Sequence, residues 1–218
     1  PAGFSAVVRE QIKRGASWIK IAISGGISDP HGSISAAQVT DEEVATIVEV
    51  AHRNNVKVTA HNGSPEAALQ ALKFGVDCFE HGYHFNDEVL AKMKAKGTWL
   101  VPTIVVSQSG AYEFYRKIGS PDWYLDRVAS TGKDHWTMLQ KAIRAGVNIA
   151  LGTDQFPFEP NGGTTATVAE AELYVKAGMT PLQALQAATI QPAKMLGLEA
   201  QRGRIAAGQY ADIVAVSA

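Results

Sequence analysis

Four side chains able to bind a metal or move a proton, Lys20, His61, His81 and Asp154, fall in short apolar runs, each followed by a turn and an amphipathic segment. The runs are WIKIAIS (18–24), VKVTAHN (56–62), VDCFEHG (76–82) and VNIALGTD (147–154). Each is too short for a helix and rich in β-branched residues, so each reads as a buried parallel strand. Three of the four groups sit in the last residues of their run, and Lys20 lies mid-run. Catalytic groups of a (β/α)8 barrel project from the C-terminal ends of different strands, so this placement is where chemistry is expected. A neutral imidazole is a common ligand for zinc-like ions, and an aspartate supplies a hard oxygen or a proton acceptor. Two histidines and one aspartate suffice for one ion. Lys20 is the odd member, because an ammonium repels a cation and is costly to bury unpaired. It is expected either to pair with an acid such as Asp154 or to be carboxylated on its ε-nitrogen, which would make it an anionic ligand.

The elements that must position these groups recur along the chain. GFSAVVREQIKRGA (3–16) has helical spacing and ends at a Gly-Ala step. A Gly-rich loop, SGGISDPHGSISAAQV, follows the first strand, and Thr40 with Glu43 forms a capping box ahead of DEEVATIVEVAHRNN. Ser64 and Pro65 open the helix PEAALQALKFG, and Asn86 caps DEVLAKMKAKG. TWLVPTIVV (98–106) is a further strand run, in which Pro102 suits an end or a bulge. The stretch 107–133 holds Tyr112, Phe114, Tyr115, Trp123 and Tyr124 and reads as an aromatic insertion that could cover a site. DHWTMLQKAIRAG (134–146) is predicted as a helix. It is followed by the fourth of the runs named first and, after a Pro- and Gly-containing loop from 155 to 163, by the helix TTATVAEAELYVKAG (164–178). These make five successive βα units. TPLQALQAATIQPAKMLGL is predicted helical, and GRIAAGQYADIVAVSA carries the turns and alternation of a small β-ribbon. The expected organisation is a barrel portion over 1–200 and a ribbon over 201–218.

The chain has 218 residues, 46% of them hydrophobic and 19% charged, an ordinary globular balance for one large domain. A net charge of -1 gives no basic footprint for nucleic acid and no polybasic strip for a membrane. No apolar run approaches the roughly 18 residues that span a bilayer. The single Cys78 excludes an internal disulfide and is expected to be a small buried hydrophobe. Pro1 stands where Met would begin a chain, which suggests that a preceding segment is missing. The location is left open, cytoplasmic if no signal peptide has been removed.

WIKI, TAHNG, FEHGYHF, LVPT, GTD and the closing GRIAAGQYADIV resemble, in order and spacing, the motifs of the amidohydrolase superfamily. The nearest branch is that of Xaa-Pro dipeptidases, arginine and lysine carboxypeptidases and imidazolonepropionase-like proteins. The resemblance implies an α/β fold built as a TIM-like barrel, with Lys20 as a carboxylated lysine bridging two metals. It implies His61 and His81 as ligands of the second metal, and Asp154 as a ligand of the first and the proton shuttle. The implied reaction is hydrolysis of a small amide or peptide bond by a metal-activated hydroxide, in a dipeptide, a C-terminal amino acid or an N-acyl amino acid. One or two divalent ions are implied, zinc first, with manganese and cobalt suited to the same ligands. Substrate-facing candidates are His84, Tyr83, Gln155 and His31, whereas His52 and His135 are expected to be solvated or structural.

The family's His-x-His pair is absent, and His81 and His84 are spaced differently. Counted from the lysine strand as the fourth, the chain would hold strands four to eight and the start of the return to a small β-sandwich. Five strands cannot close an eight-stranded barrel, and open edges leave unpaired backbone. The chain is therefore expected to be the C-terminal part of a longer protein. A missing N-terminal segment or a partner chain would carry the His-x-His pair, and the complete enzyme is expected to be a homo-oligomer. The alternatives are an inactive fragment, a one-metal hydrolase with Lys20 unmodified, and a non-catalytic α/β binding module.

Overall fold

A computed structural model describes residues 1–108, 110–155 and 165–215. Five strands, β1 (Trp18–Ala22), β2 (Lys57–Asn62), β3 (Cys78–His81), β4 (Trp99–Val101) and β5 (Asn148–Ile149), form one parallel sheet in chain order. Helices α1 (Ala2–Lys13), α2 (Asp41–His52), α3 (Pro65–Phe74) and α4 (Asp87–Lys96) precede or link the first four strands. Then come a 3-10 turn (Ile104–Val106), α5 (Ala111–Lys117), α6 (Asp122–Ala145), and after β5 α7 (Thr165–Ala177), α8 (Pro181–Ala188) and α9 (Ile190–Leu196).

Parallel strands buried on both faces need near-continuous apolar sequence, and Ile19, Val58, Ala60, Phe79, Leu100 and Ile149 are all buried here. The helices start where the side chains say they should. Thr40 and Glu43 make a reciprocal capping box, Thr180 and Gln183 make a second, and the Ser64 and Asn86 side chains accept from Ala67 N and Val89 N. Gly75, Gly97 and Gly146 end α3, α4 and α6 in the left-handed conformation, which lets the chain turn straight into the next strand.

Four elements differ from expectation. The run 147–154 yields a paired strand only at Asn148–Ile149: Ala150 N still bonds Leu100 O (3.0 Å), but Leu151 N leaves the ladder for Ala187 O (2.8 Å) at the end of α8. The helix expected over 134–146 begins at Asp122, so half of the aromatic insertion is the first three turns of α6. The run 98–106 is a strand only over Trp99–Val101: Pro102 marks its end, as expected of a residue with no N–H for the ladder, and Ile104–Val106 turn into the 3-10 segment. From 198 to 215 the backbone runs through turns, closed by bonds such as Tyr210 N to Gln201 O (2.9 Å), and no strand pairs there among the described residues. A ribbon needs a second segment alongside; Ile205, Ile213 and Val214 instead stay exposed. Residues 216–218 and most of the 155–163 loop lie outside the described residues.

β1 and β5 are the two edges of the sheet, and the expectation of an unclosed barrel agrees with this open arrangement. Phe4 and Val7 of α1 remain exposed beside β1. Cys78 is buried, and its burial pushes the thiol up to about 12, so it behaves as the expected small hydrophobe.

Candidate functional site

The parallel register sets the carboxyl ends of β1, β2 and β3 side by side. Ala22 lies opposite His61, His61 opposite Glu80, and Asn62 opposite His81, so the two histidines come from adjacent strand ends. Their rings meet edge to face with centroids 4.6 Å apart. His81 has left-handed backbone (φ 69°), as does Thr103 (φ 48°) just beyond β4. The Thr103 hydroxyl lies 2.6 Å from His81 Nδ1, which fixes the ring and leaves Nε2 free. Desolvation by burial pushes both imidazoles below their ordinary value, His81 strongly, so both are neutral at pH 7.

His61 and His81 share a cavity of about 260 Å³ with Asp154, Tyr83, Tyr115 and Gln155. Asp154 keeps solvent contact, yet enough protein surrounds it that desolvation pushes its carboxyl above the usual range, with Lys20 opposing. Its φ of 52° turns the chain at the end of the β5 segment, a conformation Asp tolerates better than most residues. Tyr83 stacks on His81 with centroids 5.1 Å apart and planes within 3°. Gln155 Nε2 donates to the Tyr115 hydroxyl at 2.9 Å.

Lys20 pairs with an acid, as one of its two expectations had it, but the acid is not Asp154. The ammonium pairs with Glu80 Oε2, and the lysine side chain is 54% exposed rather than buried. Glu80 is fixed in turn by the Thr59 hydroxyl at 3.1 Å. Lys20 sits one strand from His61 but does not line the cavity of the two histidines. His84 lies outside that lining and bonds Asp134 (3.1 Å). His31 is exposed on the Gly-rich loop, where its backbone N donates to Asp29 Oδ1 (3.0 Å). His52 bonds Asp77 at 2.8 Å on the surface, a structural role.

Supporting residues emerge whose partners the sequence did not show. His135 of α6 is fully buried; its Nε2 donates to Pro102 O (2.8 Å) and His81 O (3.2 Å), and its Nδ1 accepts from the Ser107 hydroxyl (2.8 Å). It ties the left-handed turn at His81 to the end of β4, a more specific part than the structural one expected. Glu170 of α7, also buried, accepts from Ile104 N and Val105 N at 2.8 Å each, where the 3-10 turn exposes unpaired donors. Gly26 lets the Gly-rich loop press on His61: a Cβ there would lie 2.8 Å from His61 Cε1. Arg127 of α6 clamps that loop through Gly26 O (3.0 Å) and Gly32 O (2.9 Å). A buried His and Glu in amphipathic helices were the available signals, but neither showed its partners.

Two neutral imidazoles and a carboxylate lining the same cavity are donor types that suit a divalent ion. Among the described residues, however, no group of three or more His, Cys, Asp or Glu side chains is arranged to hold one.

Functional groups gathered at the carboxyl ends of parallel strands are the arrangement of α/β-barrel enzymes. The chain belongs to the amidohydrolase family, whose model matches residues 5–218. It is 36% identical over 211 residues to the ochratoxinase of Aspergillus niger, covering 96% of this chain and 42% of that protein. Imidazolonepropionase of Symbiobacterium thermophilum is 28% identical over 69% of this chain and 30% of that protein. A crystal structure of a Xaa-Pro dipeptidase with bound methionine superposes with a TM-score of 0.85 at 33% identity, covering 95% of this chain and 50% of that one. The A. niger ochratoxinase structure gives 0.81 at 35% identity, over 96% of this chain and 46% of that one. The chain thus spans about half the length, or less, of the relatives it matches. Amidohydrolases generally use divalent metals.

Proposed function

We propose that the complete protein hydrolyses a small amide or peptide bond, in a dipeptide, a C-terminal amino acid or an N-acyl amino acid, with the help of a divalent metal. The observation that carries this reading is the convergence of His61, His81 and Asp154 on one cavity, with His81 Nδ1 occupied by Thr103 and Nε2 free. Family membership and the names of the relatives, ochratoxinase and Xaa-Pro dipeptidase, support amide hydrolysis as the reaction class.

A divalent ion, zinc first, would acidify an attacking water and polarise the scissile carbonyl. His61, and His81 through Nε2, would hold it. Asp154, partly desolvated and therefore more basic than a surface aspartate, takes the proton of the attacking water at its carboxylate and returns it to the leaving amine. Tyr83, stacked on His81 with its hydroxyl pushed up by burial, stays neutral and walls the site.

The open β1 and β5 edges and the half-length coverage support assigning the five strands to positions four to eight of an eight-stranded barrel. A further segment carrying a His-x-His pair would then close the barrel and supply the other metal ligands, in a protein that assembles as a homo-oligomer. In a binuclear form Lys20, released from Glu80 as the neutral amine and carbamylated by CO2 with loss of a proton, would offer an anionic oxygen ligand in place of its ammonium. The engagement of Lys20 by Glu80 favours a second reading, a one-metal hydrolase with Lys20 unmodified.

The test is to load the full-length protein with zinc, count bound ions by native mass spectrometry, and assay dipeptides and N-acyl amino acids. Chelator-sensitive hydrolysis that Asp154→Asn abolishes supports the reading, with two ions indicating the binuclear form and one the reduced form. Hydrolysis that survives full metal removal refutes it.

A further inference from the structure

The insertion expected to cover a site does more than cover it. Phe114, Tyr115 and Ile118 from α5 and its C-cap, with Tyr124 from α6, form one wall of the cavity that holds His61 and His81; Ile27 and Val106 complete its apolar lining. Tyr112 and Trp123, of the same stretch, point elsewhere and are more than a third exposed. The wall is ordered by edge-to-face contacts: Phe114 with Tyr115 at 5.3 Å and Tyr115 with Tyr124 at 4.8 Å between centroids. Gln155 holds the Tyr115 hydroxyl from the opposite side.

The charge of this cavity is as informative as its shape. No Lys or Arg lines it among the described residues, and 156–164 (FPFEPNGGT) contains neither in its sequence. Arg127, on the same helix as Tyr124, has its guanidinium committed to Gly26 O and Gly32 O. Arg116 and Lys117 of α5 are exposed and outside the lining. A cavity of about 150 Å³ already takes a benzene ring, so the space here is enough for an aromatic side chain beside the reacting groups.

We infer that this cavity is the side-chain subsite of the proposed hydrolase, and that it selects substrates with an apolar or aromatic side chain next to the scissile amide. Phe114, Tyr115 and Tyr124 are its specificity-determining residues. An apolar ring buries its surface against them, whereas a charged side chain set against this wall loses its water with no charged group on the wall to replace it. This rests on the hydrolase reading only for what happens after binding.

The experiment therefore separates binding from turnover. With the full-length protein in a metal chelator, calorimetry compares N-acetyl-L-phenylalaninamide with N-acetyl-L-argininamide; the metal-loaded protein is then assayed for hydrolysis of N-acetyl-L-phenylalanine and N-acetyl-L-arginine. The phenylalanine probe is expected to bind at least about tenfold tighter, and its hydrolysis to show the same preference in kcat/KM. Phe114→Ala should erase most of that preference. Ile118→Glu, at a position 44% exposed where a charge is tolerated by the fold, should shift the ratio towards arginine by about tenfold. Equal binding of the two probes, or a ratio unmoved by both variants, overturns the subsite. Selective binding with no hydrolysis of either substrate, nor of the corresponding dipeptides, leaves the subsite standing and removes the hydrolase reading instead.

Discussion

His81 and Thr103 face each other across the ends of β3 and β4, both in left-handed backbone, and are joined by a 2.6 Å hydrogen bond between Nδ1 and the hydroxyl. Two non-glycine residues held in a sparsely populated conformation cost free energy, and the surrounding structure has to over-determine them. His135 does so by donating to His81 O and Pro102 O from within the core. The strain thus aims one imidazole nitrogen into the cavity.

Thr103→Val keeps the shape of the side chain and removes only the hydroxyl. The His81 ring then loses its fixed orientation, and zinc affinity should fall about 10- to 100-fold, while Thr103→Ser should restore most of it. A competition titration with a chromophoric chelator measures both, and unchanged affinity in the valine variant would mean that His81 does not bind the ion.

Gly26→Ala tests the loop that presses on His61. The added Cβ would approach Cε1 to 2.8 Å and Nε2 to 3.1 Å, so the imidazole must move. The Gly26 backbone is not left-handed, so melting temperature should change little. Metal affinity and kcat/KM should each drop by about tenfold or more; a variant that binds and turns over normally would show that His61 has no fixed role.

Asp154→Asn should abolish turnover by the full-length protein while leaving its fold intact. Asn tolerates the left-handed φ of 52° as well as Asp does, so the turn is preserved and the proton acceptor is lost. A rate fall of about 100-fold or more is expected from removal of a general base, with an unchanged circular dichroism melt as the control.

Glu170 gives the chain a pH dependence of known sign. Burial raises its carboxyl from 4.5 to about 7, against the two backbone N–H groups that favour the anion. The folded state therefore holds a proton that the unfolded state has released, so this contribution is complete below pH 4.5 and is lost as pH rises through 7. Across that window it amounts to at most about 3 kcal/mol. Urea midpoints at pH 4.5 and 8 should diverge in the wild type relative to Glu170→Gln, which cannot titrate, and parallel pH profiles for the two proteins would contradict the raised value.

Much of this molecule was legible one residue at a time. Helix starts at Thr40, Ser64, Asn86 and Thr180, helix ends at Gly75, Gly97 and Gly146, and the strand cores at Ile19, Val58 and Phe79 follow from capping geometry, φ preference and unbroken apolar runs, all of which are local. The type and spacing of His61, His81 and Asp154 likewise pointed to one cavity, because parallel strands bring their carboxyl ends together whatever lies between. Tertiary structure alone decided which neighbour each group meets. Lys20 pairs with Glu80 because strand register puts their side chains within reach; β5 is short because Leu151 N bonds Ala187 O of α8 instead of a strand; and α6 begins at Asp122 because Leu125 and Val128 find a core to bury in. His135, Glu170 and Arg127 act through partners 54, 66 and 101 residues away in sequence, and pairings over such distances are set by packing, which no local pattern encodes.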